Sequence, residues 1–222
     1  MMNRSDNVIQ KLREPVSGLT HAVGAILSLV GMILIICYSG KLGKSQLIYL
    51  IVFCISLILL YSASTIYHSV VSSEKVIKIL RRIDHSMIYI LIAGTYTPVC
   101  LIALKGNIGK WMMISIWVLA VLGIVLKICW FNAPRWLSTL FYVLLGWVAI
   151  FAVVPLSKVI PVQGIIWMVL GGVSYTVGAA IYAIKWPKIN IKYFGFHEIF
   201  HLFVMLGSFC HYWLMLKYVM FI

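Results

Sequence analysis

Acidic side chains are scarce in this chain: five Asp and Glu among 222 residues, against 18 Lys and Arg. Charged residues of either sign make up 10%, where soluble domains carry about a quarter. With 63% hydrophobic residues and a mean hydropathy of +1.05, that shortage excludes an ordinary soluble domain. No two cysteines stand at C-x-x-C spacing, so a paired-thiol signal is absent. Cys37, Cys54, Cys100, Cys129 and Cys210 fall in or at the ends of apolar segments and read as small buried apolar residues. Low-complexity stretches and clear internal repeats are also missing. The first apolar block is too long for a signal-peptide core, and no A-x-A-like site follows it, so no cleavable signal is expected.

What is present is a series of long apolar blocks. Seven can be drawn, at about 17–39, 46–69, 85–104, 110–130, 137–157, 163–184 and 197–220. Each is close to the roughly 20 residues needed to span a hydrocarbon core. Backbone polar groups in lipid must pair within their own segment, so the blocks should be helices. The division is least sharp around Pro155 and Pro161. The expectation is an all-α membrane protein with seven transmembrane helices, a single polytopic domain over residues 1–222. Trp111, Trp130, Trp136 and Trp186 sit near block ends, as an interfacial aromatic belt would.

A net charge of +13 could suggest nucleic acid, but its distribution argues against that partner. The cations fall in loops and flanks, where they suit anionic lipid headgroups. The N-terminal tail and the loops after the second, fourth and sixth blocks hold Arg4, Lys11, Arg13, Lys75, Lys78, Arg81, Arg82, Lys127, Arg135, Lys185, Lys188 and Lys192. The other side holds Lys41, Lys44, Lys105, Lys110, Lys158 and Lys217. Twelve against six places the N-terminus in the cytoplasm and the C-terminus outside, in a multi-pass plasma-membrane protein. Nothing in the pattern specifies an oligomer. Residues 74–83, with Val76, Leu80 and Ile83 on one face among four cations, read as a short basic interfacial helix.

Ionisable groups inside a membrane are costly and mark polar interiors. His197 and His201 lie at i and i+4, on one face of a helix, which is a zinc-ligand spacing. The alternation of spans puts Ser64 and His68 at the inner end of the second helix. Asp84 and His85 open the third, and His197, Glu198 and His201 open the seventh. His21, one turn into the first helix, shares that depth, while His211 lies about 15 Å deeper. Each residue also has a plainer reading. His68 suits a helix C-terminus, Asp84 a helix cap, and Ser64 a bond to its own i−4 carbonyl. Glu198 suits the N-terminus of the last helix. Their shared depth favours a site.

Three neutral imidazoles around zinc leave a fourth position open for water. His68, His197 and His201 would be the ligands, Asp84 the general base and Ser64 a hydrogen-bonding assistant. Glu198, His85 and His21 are supporting candidates. HEIFH also matches the metalloprotease pattern H-E-x-x-H, with Glu198 as base. No acid follows Glu198 to complete such a site, and the residue after a ligand points about 100° away from it, so Asp84 is the stronger base.

Several stretches carry a resemblance. They are EPVSGLTHAVG at 14–24, STIYH at 64–68, IDHSMIYILIAGTYTP at 83–98, GAAIYAIKWP at 178–187 and HEIFHLFVMLGSFCHYW at 197–213. Together they resemble the haemolysin III family, the bacterial branch of the progestin and adipoQ receptor group that includes the adiponectin receptors. The Ser-x3-His, Asp and His-x3-His elements are also similar to those of alkaline ceramidases. The resemblance implies seven helices with the N-terminus inside, zinc on His68, His197 and His201, and Asp84 and Ser64 as polar partners of the metal. The function expected is zinc-dependent hydrolysis of a lipid amide or ester at the inner leaflet. The alternatives are a pore-forming or membrane-perturbing protein, which the family name implies, or a regulator of membrane-lipid homeostasis without turnover. In both of these the zinc would be structural.

Overall fold

The structure is a computed structural model that describes residues 12–130, 134–189 and 191–222. Arg4 and Lys11 of the charge count lie outside the described residues. Among the described residues, seven helices are long and apolar enough to cross a membrane. Their regular α-helical parts are α1 Pro15–Tyr38, α2 Lys44–Ser69, α3 Glu74–Pro98, α4 Asn107–Cys129, α5 Arg135–Trp147 (whose span runs on to Ser157), α6 Val162–Ile184 and α7 Phe196–Leu214. A wider turn extends α3 over Val99–Ala103 and α7 over Met215–Val219. α5 tightens at Val148–Ala152 before a last turn at Val153–Ser157.

Two departures from the expected spans have physical causes. α3 begins at Glu74, not near 85, and takes in the basic stretch 74–83 that was read as a separate interfacial helix. No glycine or proline stands between Ser73 and Gly94 to break it, and Glu74 pairs with Lys78 one turn on at 3.5 Å. Asp84 is therefore inside a helix and does not cap one. Near the other end, Pro98 has no N–H to offer, and the ladder resets to a wider bond from Leu104 N to the Val99 carbonyl. The Tyr96 hydroxyl on α3 donates to the Gly146 carbonyl of α5 at 2.6 Å, next to the tightened segment.

α3 is the inner helix: 72% of its most apolar window is buried, against 22% for α1 and 17% for α4. Leu19 and Ile26 on α1 and Val121 and Leu122 on α4 are exposed, as a lipid-facing surface requires. Phe53, Leu50, Ile102, Ile116 and Leu214 fill the interior away from the polar end. α6 packs on α7, and α7 returns to α1, closing the bundle. Close approach fixes the joint between α1 and α2. A Cβ at Gly18 would stand 2.6 Å from Ser69 Oγ, and the Glu14 amide donates to the His68 carbonyl at 2.9 Å.

Candidate metal centre

The α1–α2 joint places the end of α2 beside the start of α7. His68 and His201 are almost wholly buried, at 1% and 2% exposure, and His197 is half-buried. One ligand nitrogen from each lies within 4.8 Å of the other two. His68 Nε2 and His197 Nε2 are 3.3 Å apart. Zinc–nitrogen bonds of about 2.0–2.1 Å in a tetrahedron set ligand nitrogens roughly 3.3–3.4 Å apart. That edge of the cluster already has the spacing of a zinc site. His201 Nδ1 is buried without a hydrogen-bond partner, as are both nitrogens of His21. The donor set fits a zinc ion.

Glu14 sets the direction of His68. Its carboxylate can only accept, so His68 Nδ1 carries the proton and donates it to Glu14 Oε2. Nε2 is then the lone-pair nitrogen, and it is the one that faces His197. Carboxylates commonly orient ligating imidazoles in this way. Burial disfavours the Glu14 carboxylate, but the hydrogen bond from His68 and the neighbouring Arg13 guanidinium outweigh it and hold its pKa below the usual value.

His21 stacks flat on His201, with ring centres 3.6 Å apart, and meets Tyr61 edge-on. Tyr61 donates to Ser208 at 2.7 Å, and Tyr175 bonds to the same hydroxyl at 2.9 Å, tying α2, α6 and α7 behind the rings. Glu198 is turned elsewhere. Its Oε1 accepts from Ser17 at 2.5 Å and its Oε2 from the Gly195 amide at 2.7 Å, so it ties the start of α7 to α1. His85 is also engaged. Its Nδ1 donates to the Arg81 carbonyl at 2.9 Å, and the Tyr182 hydroxyl bonds to its Nε2 at 3.1 Å. Asp84 Oδ2 is 3.3 Å from His85 Nδ1.

A cavity of about 210 Å³ opens beside the imidazoles, between α3 and the α5–α7 side. Asp84, Ser64, His21, His197 and His201 line its polar end. Apolar residues such as Ile88, Leu91, Ile92 and Val153 line the rest. His211 lies on the wall farther along α7, with Nδ1 bonded to the Gly207 carbonyl at 2.9 Å. It does not join the three-imidazole group.

A model of haemolysin-III-related proteins matches residues 9–212. The chain belongs to the haemolysin-III-related family. Among its relatives, Hemolysin-3 of Bacillus cereus is 37% identical over 222 residues, covering 99% of this chain and 98% of that protein. The Hemolysin-3 homolog of Bacillus subtilis (strain 168) is 39% identical over 196 residues, covering 88% and 89%. The human monocyte to macrophage differentiation factor is 25% identical over 207 residues, covering 90% and 82%. This haemolysin-III-related protein is a multi-pass integral membrane protein, related through that last match to the progestin and adipoQ receptors.

The structure brings together His68, His197 and His201, and it sets Asp84 and Ser64 on the adjoining cavity wall. Sequence reasoning missed Glu14 and Ser17. The signals for Glu14 were its rarity, as one of five acids directly before the first span, and its place in the EPVSGLTHAVG stretch, which also holds Ser17.

Proposed function

We propose that this protein is a zinc-dependent hydrolase of a lipid amide or ester, with its site toward the inner leaflet. The convergence of three imidazoles beside a mostly apolar cavity, with His197 and His201 on its wall, carries this reading. His68, His197 and His201 would hold the zinc. A zinc ion in such a centre lowers the pKa of a coordinated water toward neutrality and polarises a carbonyl. The cavity takes the acyl chain and places the scissile bond at the end where the imidazoles lie. Asp84, on the same wall, accepts the proton released as water attacks and returns it to the leaving amine or alcohol. The Ser64 hydroxyl donates to the oxygen on which charge develops. Glu14 holds the His68 ring in one tautomer, and Glu198 holds the start of α7 against α1.

The test joins two measurements on detergent-purified protein. Metal content should be one zinc per chain in the wild type and should be lost in His197→Ala. Fatty-acid release from lipid amides and esters should disappear in Asp84→Asn while that variant keeps its zinc. Zinc bound at full occupancy with no release from any lipid would sink the hydrolase reading.

A second reading rests on the names of the Bacillus relatives, which are called haemolysins. In it the protein perturbs membranes and the zinc is structural. Dye leakage from vesicles carrying the wild type but not His197→Ala, without lipid cleavage, would favour that reading.

A further inference from the structure

The cationic residues at the imidazole end of the bundle are not spread evenly. Arg81 on α3, Lys127 at the end of α4 and Arg135 at the start of α5 converge. Lys127 feels both guanidinium charges, and no carboxylate counters it among the described residues. Arg81 and Lys127 are half-buried. Like charges held together on three helices, partly out of water, repel unless an anion lies between them.

Hydrogen bonds and ring contacts join this trio to the cavity. Lys127 Nζ donates to Ser138 Oγ at 3.1 Å, one turn past Arg135. The Arg135 guanidinium lies 5.7 Å from the centre of the Tyr182 ring. Tyr182 in turn bonds to His85, whose other nitrogen donates to the Arg81 carbonyl. Tyr182, His85 and Thr139 all line the cavity. Arg135 and Lys127 thus touch Tyr182 on the cavity wall and Ser138 next to Thr139 on that wall, and Arg81 stands one helical turn before His85, also on it. The charge complementarity is specific in form, because two guanidinium forks and an ammonium suit the several oxygens of a phosphate.

We propose that Arg81, Lys127 and Arg135 form a binding site for the phosphate of a single-chain anionic lipid whose acyl chain occupies the cavity. This deepens the functional reading above and rests on it for the placement of the chain. The apolar cavity supplies chain affinity that is independent of charge, and the trio supplies selection for the headgroup. That selection weakens as salt rises.

Binding is measured by native mass spectrometry and by titration in detergent, with four probes. These are a lysophosphatidic acid, the monoacylglycerol and the lysophosphatidylcholine of the same chain, and inorganic phosphate alone. The lysophosphatidic acid should occupy one site at least about tenfold more tightly than either uncharged or zwitterionic lipid. Inorganic phosphate should bind far more weakly. The variant R81Q/K127Q/R135Q should lose the preference while still binding monoacylglycerol as the wild type does, which also reports that it is folded. Should the triple variant fail to fold, Arg135→Gln alone, at an exposed position, should lose part of the preference. Equal affinity for all three lipids, a preference intact in the variants, or inorganic phosphate as tight as the lysolipid would each overturn the proposal. The same titration on His197→Ala separates this proposal from the zinc chemistry. A phosphate preference that persists there, without hydrolysis in the wild type, sinks the hydrolase and leaves the anion site standing. Hydrolysis with no phosphate preference does the reverse.

Discussion

Replacing Glu14 tests the metal centre without touching a ligand. In the structure its carboxylate accepts the Nδ1–H of a His68 ring that is 1% exposed. Glu14→Ala leaves that buried N–H without an acceptor, frees the ring to rotate, and weakens the basicity of Nε2. Loss of such an outer partner typically lowers metal affinity 10–100-fold, or about 1.4–2.8 kcal/mol. Two features place Glu14 toward the lower part of that range. Its side chain is 42% exposed, so water screens the interaction and can replace the acceptor. The backbone bond from the Glu14 amide to the His68 carbonyl also survives the substitution. About tenfold to thirtyfold weaker zinc binding is expected for Glu14→Ala, and about threefold to tenfold for Glu14→Gln, which keeps an acceptor but loses the charge. The assay is competition with a chromophoric zinc chelator in detergent, with helical content by circular dichroism as the fold control. His197→Ala serves as the metal-free reference. A folded Glu14→Ala protein with wild-type zinc affinity would refute the orienting role, and with it the assignment of Nε2 as the His68 ligand atom.

Asp84→Asn should retain zinc within about threefold but lower lipid hydrolysis at least about a hundredfold, measured as fatty-acid release. Zinc should leave as pH falls, because protons compete for the imidazole nitrogens; metal content after dialysis in steps from about pH 7.5 downward checks the direction. Gly109→Ala should destabilise the α3–α4 joint by about 1–3 kcal/mol, because its Cβ would stand 2.0 Å from the Cys100 carbonyl oxygen, which is backbone and cannot turn aside. The readout is a fall in Tm of about 2–4 °C per kcal/mol with metal stoichiometry unchanged.

The seven spans are legible in the sequence because lipid requires an unbroken apolar run and leaves few charges to confuse the count. The start of α3 is not legible by that route. Hydropathy marks where a helix is apolar, whereas α3 continues through four cations from Glu74, since nothing in that stretch breaks it. The meeting of His68 with His197 and His201 follows from span alternation, which assigns depth. Azimuth is another matter. Depth cannot say which neighbours face one another, and so the contacts that join distant segments stay hidden. Glu14 reaches His68 across 54 residues and Ser17 reaches Glu198 across 181, through crossings set by small residues such as Gly18.

Glu198 shows why atoms, and not the motif, decide the chemistry. As letters, HEIFH supplies two ligands and a base. As structure, the carboxylate is held between Ser17 and the Gly195 amide, on the side of α7 that meets α1. A base must reach the water it deprotonates, and a carboxylate clamped by two donors is poorly placed to do so. Asp84 stands on the cavity wall with Ser64, His197 and His201. The five residues that would mark a peptidase on a soluble helix therefore divide, in the proposed centre, into two zinc ligands and a clamp. In the proposed hydrolase the proton-transfer role falls to Asp84, more than a hundred residues upstream in the chain.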